Sequence, residues 1–197
     1  VDPYNVSDKV EKADIILITH SHYDHCSIKD IEKVAKKDTT IVCTADCQSR
    51  VMKIKNIRLE VVEVGDKVEL ASNVKIEAIP AYNKRKEHHP KSEGWVGYLI
   101  KMDNVIIYHS GDSDFIPEMQ KLSGYGKHGV EFVALLPVSG KYVMDAEEAA
   151  EAASVINPNL AIPMHYGAGV VGTLEDAQRF VDLCKGKNIS AEILEKV

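Results

Sequence analysis

The sequence predicts a mixed α/β (α+β) domain in four layers, αββα, with two sheets packed face to face and helices on both outer sides. Three observations lead there. Strand-length apolar runs precede helical patterns at both ends of the chain, the stretch 58–108 has almost entirely β-type texture, and helices able to cover a sheet come only from the two ends. The 197 residues suit a single domain over 1–197 with a substantial core.

After a turn-like opening at Asp2-Pro3-Tyr4, residues 13–19 (ADIILIT) form a continuous apolar run, as expected of a strand buried on both faces. Ser27 is placed to cap a helix, with Asp30 three residues on and Ile28, Ile31, Val34 and Ala35 at helical spacing up to Lys36-Lys37. Residues 39–44 (TTIVCT) read as a second buried strand, followed by a short helix over 46–53. Strands are then expected at 59–64, 67–70, 74–79, 96–101 and 105–108, with Gly65-Asp66 and Asp103-Asn104 as hairpin turns. Later strands are expected at 133–136, 160–163 and 189–194. A helix over 145–156 carries Ala146, Ala149, Ala150 and Ala153 on one face, with Asp145 and Glu148 as a cap pair. A second, over 173–185, carries Ala177, Phe180, Val181 and Cys184 at similar spacing. No internal repeat or low-complexity tract interrupts this order.

Composition is ordinary for a globular domain, 45% hydrophobic and 27% charged, and a net charge of −6 gives no global attraction to nucleic acid or to anionic membranes. Cys26, Cys43, Cys47 and Cys184 form no C-x-x-C pair, which fits reduced thiols in a cytoplasmic protein, and Cys26 reads as small core filler. No run approaches the roughly 18 apolar residues of a membrane span. The chain starts at Val1-Asp2-Pro3 without an initiator Met, as if mid-domain.

The chemistry concentrates where the first strand ends. In His20-Ser21-His22-Tyr23-Asp24-His25, four ligand-type side chains fall within six residues. In extended backbone, residues two apart project to one side, so His20, His22 and Asp24 converge, while His25 needs the chain to curl. Imidazole and carboxylate together suit zinc, manganese or iron. More ligand types follow at or near later strand ends: His88-His89-Pro90-Lys91 in a polar loop, His109-Ser110-Gly111-Asp112 and Met164-His165-Tyr166.

H-x-H-x-D-H after a strand, then a separate His, an Asp in Gly111-Asp112-Ser113 and a final His resemble the metallo-β-lactamase-fold hydrolases. Pro80-Ala81-Tyr82-Asn83, His89-Pro90-Lys91, Gly94-Trp95-Val96-Gly97-Tyr98 and Met144-Asp145 are similar to the branch that includes L-ascorbate-6-phosphate lactonase and many uncharacterised hydrolases. The resemblance spans essentially the whole chain, apart from an N-terminal β-hairpin usual in the family. It implies two divalent ions, zinc first with manganese or iron admitted. His20, His22 and a middle His would bind one, Asp24, His25 and His165 the other, and Asp112 would bridge them. The middle His is His88 or His89. The family pattern places it directly before Pro-Lys, and Pro90 biases His89 toward extended backbone, both favouring His89. Asp2 matches an aspartate that supports the metal loop without binding metal.

Such a pair of cations can make a bridging water hydroxide at neutral pH and polarise the bond to be cut. Asp24 would orient that hydroxide, and Asp112 would hold both ions. Hydrolysis of an ester-like bond follows, with a phosphorylated lactone or a phosphodiester favoured. The competing expectation is a non-catalytic member of the fold that binds a ligand or partner. Tyr23, Asn83, Lys91 and Tyr166 are candidate substrate contacts, each set against an ordinary packing role. His88 and His109 read as supporting residues, with proton delivery as the sharper role for His109. Lys84-Arg85-Lys86 with Lys91 could draw in an anionic small molecule but reads first as a solvated loop, and Lys141 and Tyr142 could line the same cleft. Trp95 reads as core and His128 as a loop residue. No membrane or nucleic-acid partner is expected, and a homo-oligomer stays open.

Overall fold

Apolar residues alternating along the strands sort the core into three layers. The structure, a computed structural model, describes residues 1–71 and 73–195. Its first sheet is parallel, in the order β1 (Ala13–Leu17), β2 (Ala35–Cys43), β3 (Arg58–Val61). The second runs β4 (Lys67–Ala71), β5 (Val74–Pro80), β6 (Val96–Met102), β7 (Val105–His109), β8 (Glu131–Pro137), β9 (Leu160–Met164), antiparallel up to β7 and parallel beyond it.

Leu17 and Val42 from the first sheet meet Ile76, Ala78, Val96 and Tyr98 from the second. Their neighbours one residue away, Ile16, Ile18, Ile41 and Cys43, point outward and are covered by α1 (Ile28–Val34) and α2 (Ala45–Val51). Leu99, Phe132, Ala134 and Leu136 point out of the second sheet against α3 (Ala146–Ile156) and α4 (Leu174–Gly186). The period-two split of the central strands between two buried faces therefore generates the αββα layering. Ala149, Ala150, Ala152 and Ala153 are all fully buried, and their small side chains let α3 lie close to both the sheet and α4. Capping boxes at Asp145/Glu148 and Thr173/Asp176 start α3 and α4, each worth about 1 kcal/mol. Among the described residues no helix is long and apolar enough to cross a membrane.

Three expectations need correction. Gly65-Asp66 is not a hairpin turn, because β3 pairs in parallel with β2 while β4 pairs with β5. Gly65, at φ +96°, instead hands the chain from one sheet to the other. The helix after Ser27 stops at Val34, since Ala35 is already extended and opens β2. Residues 189–194 form no strand and touch β9 through the single bridge Ala161–Ala191.

The sheets converge at the C-terminal end of β1. Tyr98 Oη donates to Ile18 O at 2.7 Å and the amide of Val96 to Thr19 O at 3.3 Å. Gly111, at φ +61°, packs so tightly there that a Cβ would sit 2.7 Å from Val96 O. This junction holds the ligand-type residues.

Candidate metal centre

His20 to His25 follow β1 as a curled loop, closed by the amides of His25 and Cys26 donating to His22 O at 3.1 and 2.8 Å. His89 comes from the loop after β5, Asp112 from the turn after β7 and His165 from the end of β9. Three groups of donor atoms each gather within 4.8 Å of one another: His20, His22 and His89; Asp24, His25 and His165; and His20, His25 and Asp112. Asp112 lies between the first two groups, with Oδ2 3.2 Å from His89 Nε2 and 3.4 Å from His165 Nε2, and Oδ1 3.3 Å from His25 Nε2. Asp24 Oδ2 is 3.6 Å from His25 Nε2 and 3.7 Å from His165 Nε2.

Four of the five rings are turned by a contact on the nitrogen that faces away from the centre. Asp2, at φ +45°, accepts from the Thr19 amide (2.8 Å) and hydroxyl (2.7 Å) and from His25 Nδ1–H (2.8 Å). With its hydroxyl hydrogen committed to Asp2, Thr19 Oγ1 accepts from His20 Nδ1–H at 2.9 Å. Tyr142 O lies 3.1 Å from His89 Nδ1, and Ser139 Oγ 3.0 Å from His165 Nδ1. A carbonyl or carboxylate on Nδ1 fixes the tautomer and leaves Nε2 as a free lone pair. His22 uses the other nitrogen, placing Nδ1 3.2 Å from His89 Nε2.

These inward atoms fit a cation site better than a hydrogen-bond network. His20 Nε2, His25 Nε2 and Asp112 Oδ1 are buried with no hydrogen-bond partner, although Asp112 Oδ1 is close to His25 Nε2. They converge on a shared point instead of aiming at one another. An unsatisfied buried polar group costs about 1–3 kcal/mol, so three together fit a centre built to hold positive charge. The donor set, nitrogen and carboxylate with no thiolate, fits zinc, manganese or iron. Cys26 is fully buried, with its thiol pushed up by a hydrogen bond to Cys47 and by burial, as expected of filler.

The electrostatics divide the centre. Burial, helped by repulsion from His25, lowers His20 to about 3. Burial and then His89 lower His22. For His25, burial acts downward but Asp112 and Asp2 outweigh it and hold the ring well above the ordinary imidazole value. His165 is likewise raised to about 9, because Asp112 and Asp24 outweigh burial. Burial acts upward on Asp112, yet His25, His165 and His89 hold it well below the carboxylate range.

Two supports were not anticipated. Trp95, read from sequence as core, lies against all three imidazoles of the first group, with ring centroids 4.7 Å from His20, 4.8 Å from His22 and 5.4 Å from His89. Its Nε1–H donates to Asp46 Oδ2 at 2.7 Å. Arg50, from α2, donates to Ser21 O (2.7 Å) and Cys26 O (2.6 Å), bracing the loop at both ends. Apart from Trp95 on His89, these contacts have no local sequence signal, since Arg50 reaches across 24 and 29 positions and Trp95 across 75 to His20.

Of the two middle candidates, His89 is buried in the centre, whereas His88 is exposed and packs edge-on against Tyr142 at 4.7 Å. His89 does so at φ +59° rather than in the extended conformation expected before Pro90. Asn83 holds it there, its amide N–H donating to His89 O (2.7 Å) while Nδ2 donates to His88 O and Tyr142 O (both 2.6 Å). Asn83 thus fastens the loop and is not among the residues lining the cleft. Lys91 lies away from the cleft on Glu118 (3.0 Å) and over the Tyr82 ring, and Tyr166 packs on the core beside α3 and α4. Lys86 pairs with Asp114 (2.6 Å), so the basic loop is tied down. Tyr23 does line the cleft, exposed and packed against Tyr4. His109 is outside the cleft lining; its Nδ1 accepts from the Gly111 amide at 3.2 Å and burial lowers it to about 4, which suits a fastener of the Asp112 turn better than a proton donor.

Comparison with known proteins agrees with this architecture. The family model described as the β-lactamase superfamily domain matches residues 1–165, and the chain belongs to that superfamily. It is 32% identical over 178 residues to a UPF0173 metal-dependent hydrolase of Thermoplasma acidophilum, covering 84% of this chain and 74% of the relative. A UPF0173 metal-dependent hydrolase of Caldivirga maquilingensis is 30% identical over 159 residues, covering 80% of this chain and 66% of the relative. Within the superfamily, then, the chain is a member of the UPF0173 family, spanning about two thirds to three quarters of these relatives' length (66% and 74%). The crystal structure of a proposed metal-dependent hydrolase from Parabacteroides distasonis superposes with a TM-score of 0.82 at 33% identity, covering 100% of this chain and 84% of that one.

Proposed function

We propose that this chain is a dinuclear metal-dependent hydrolase of ester-like bonds. The observation that carries the reading is the pairing of two donor groups, His20/His22/His89 and Asp24/His25/His165, on either side of Asp112, with buried inward atoms left unpaired. The metal-dependent hydrolase names of its UPF0173 relatives support it. Two divalent ions in such a centre supply an activated water and polarise the oxygen of the scissile bond.

This chain's own residues do the rest. Asp112 presents one oxygen toward both donor groups and holds them in register. Asp24 lines the cleft, where it would accept a hydrogen bond from the attacking hydroxide and orient it. Asp2, Thr19, Tyr142 and Ser139 keep the imidazole lone pairs aimed inward, so that no ring must reorganise during turnover. Zinc is the favoured ion. A phosphorylated lactone or a phosphodiester is the favoured substrate class, a preference supported by the resemblance to the ascorbate-6-phosphate lactonase branch.

Metal analysis with a substrate panel tests this. Two equivalents per chain are expected, with turnover of bis(4-nitrophenyl) phosphate or a γ-lactone after reconstitution with zinc, manganese or iron. One tightly held ion and no turnover under any metal would instead support a ligand-binding member of the fold.

A further inference from the structure

Over the centre opens a cleft of about 290 Å³ whose lining is of two kinds. Lys141, Tyr142 and His88 supply polar and aromatic groups, and Val170 and Val171, both half-exposed, supply an apolar ledge. Lys141 is the cation in that lining. Its ammonium lies 5.1 Å from the Tyr142 ring centroid and makes no ion pair among the described residues. The four cations of the neighbouring basic loop lie outside that lining, Lys86 held by Asp114 at 2.6 Å and Lys91 by Glu118 at 3.0 Å.

The loop that carries Lys141 is fixed to the centre. Gly140, at φ +75°, turns the chain, its amide donating to Met144 O at 3.0 Å, and Ser139 bridges to Asp145. Ser139 Oγ and Tyr142 O are the groups that turn His165 and His89. The backbone of Lys141, an exposed side chain at the cleft, is therefore carried between the two residues that orient ligand candidates.

We propose that Lys141 is the specificity-determining residue of this site, selecting substrates with an acidic group beyond the scissile bond, joined to an apolar portion that lies on Val170 and Val171. The reaction in this statement rests on the hydrolase reading above; the binding does not. An unpaired ammonium over an aromatic ring is desolvated on one side and gains most from an anionic partner. Half-exposed valines reward an apolar linker rather than a sugar.

Isothermal titration of the zinc-loaded chain with matched pairs of acids reads the binding: glutarate against valerate, adipate against hexanoate, suberate against octanoate. One carboxylate of each can take the metal centre, so only the second reports on Lys141. At one length the diacid is expected to bind about fivefold tighter than its monoacid, the size of a charge-assisted contact in a half-open cleft, with Lys141→Met removing that ratio and Lys141→Arg keeping it. A wild type without a diacid preference at any length, or a preference that survives Lys141→Met, would overturn the proposal. In kinetics, the ratio of kcat/KM for mono-4-nitrophenyl adipate over 4-nitrophenyl hexanoate should drop about fivefold in Lys141→Met, carried by KM. A Lys141-dependent diacid preference without turnover of either ester would sink the hydrolase reading and leave this one standing. Normal turnover and metal content without any preference would do the reverse.

Discussion

His20, His22 and His89 present three imidazoles beneath the Trp95 ring, whereas Asp24, His25 and His165 lie among carboxylates on the far side of Asp112. Burial leads the electrostatics of the first group, holding His20 at about 3 and lowering His22. In the second, carboxylates override burial and hold protons on His25 and His165. On the dinuclear reading, a divalent ion in the second group would have to replace protons that one beside His20 would not meet. Two sites of near-identical ligand count are set apart by the charge around them, and one aspartate couples them.

Removing the coupling residue should have the largest effect. Asp112→Ala is expected to lower kcat by roughly 10³-fold and reduce metal content while the far-ultraviolet circular dichroism stays unchanged. Full turnover with two ions would refute the bridge. Next, His22→Ala and His165→Ala should each retain one ion, and only His22→Ala should keep the pH-dependent one. Titration calorimetry separates the two.

The contrast in proton load predicts the pH dependence. Because His165 is raised to about 9, an ion bound beside it displaces a proton at neutral pH. Affinity of the second group should therefore rise by about tenfold per pH unit for each proton displaced, up to about 9, and above neutral pH more steeply than that of the first group, where burial holds His20 at about 3. Parallel slopes for both ions would contradict the division.

Asp2 lowers the next tier. Burial acts upward on its carboxyl, but His25 outweighs it and takes the group from an ordinary 3.8 to about 2. A depressed carboxylate stabilises the fold above its unfolded value and loses that contribution as pH falls through the folded one. Asp2→Asn should then cost about 2 kcal/mol at neutral pH, with the gap from wild type closing below about pH 4 in urea unfolding. The smallest effect is expected at Trp95, the sole tryptophan. Asp46→Asn weakens the hold on its indole, so metal binding to the first group should be about tenfold weaker, and wild-type Trp95 fluorescence should respond to the first ion and not the second.

Much of this was legible because ligands cluster where apolar strands end, and strand ends are marked by the sequence itself. ADIILIT announces both a doubly buried strand and the position of His20, and Ser27 and Asp145 announce the helices that follow. The supports were hidden because they act through tertiary contact. Tyr142 works through its backbone carbonyl, Ser139 through a hydroxyl 26 positions from His165, and Arg50 through carbonyls of another element. Gly65-Asp66 misled because a turn residue states that the chain reverses, not which sheet it joins next. Proximity in sequence to His89 did not reveal where Lys91 points, since it pairs with Glu118 outside the cleft lining.

The central claim is that Asp112 joins two ion sites. Crystals grown with zinc and measured on either side of its absorption edge test it most directly. Two anomalous peaks flanking the Asp112 carboxylate, roughly 3.5–4 Å apart, with one contacted by His20, His22 and His89 and the other by Asp24, His25 and His165, are expected. A single peak, or two that share no contact with Asp112, would contradict it.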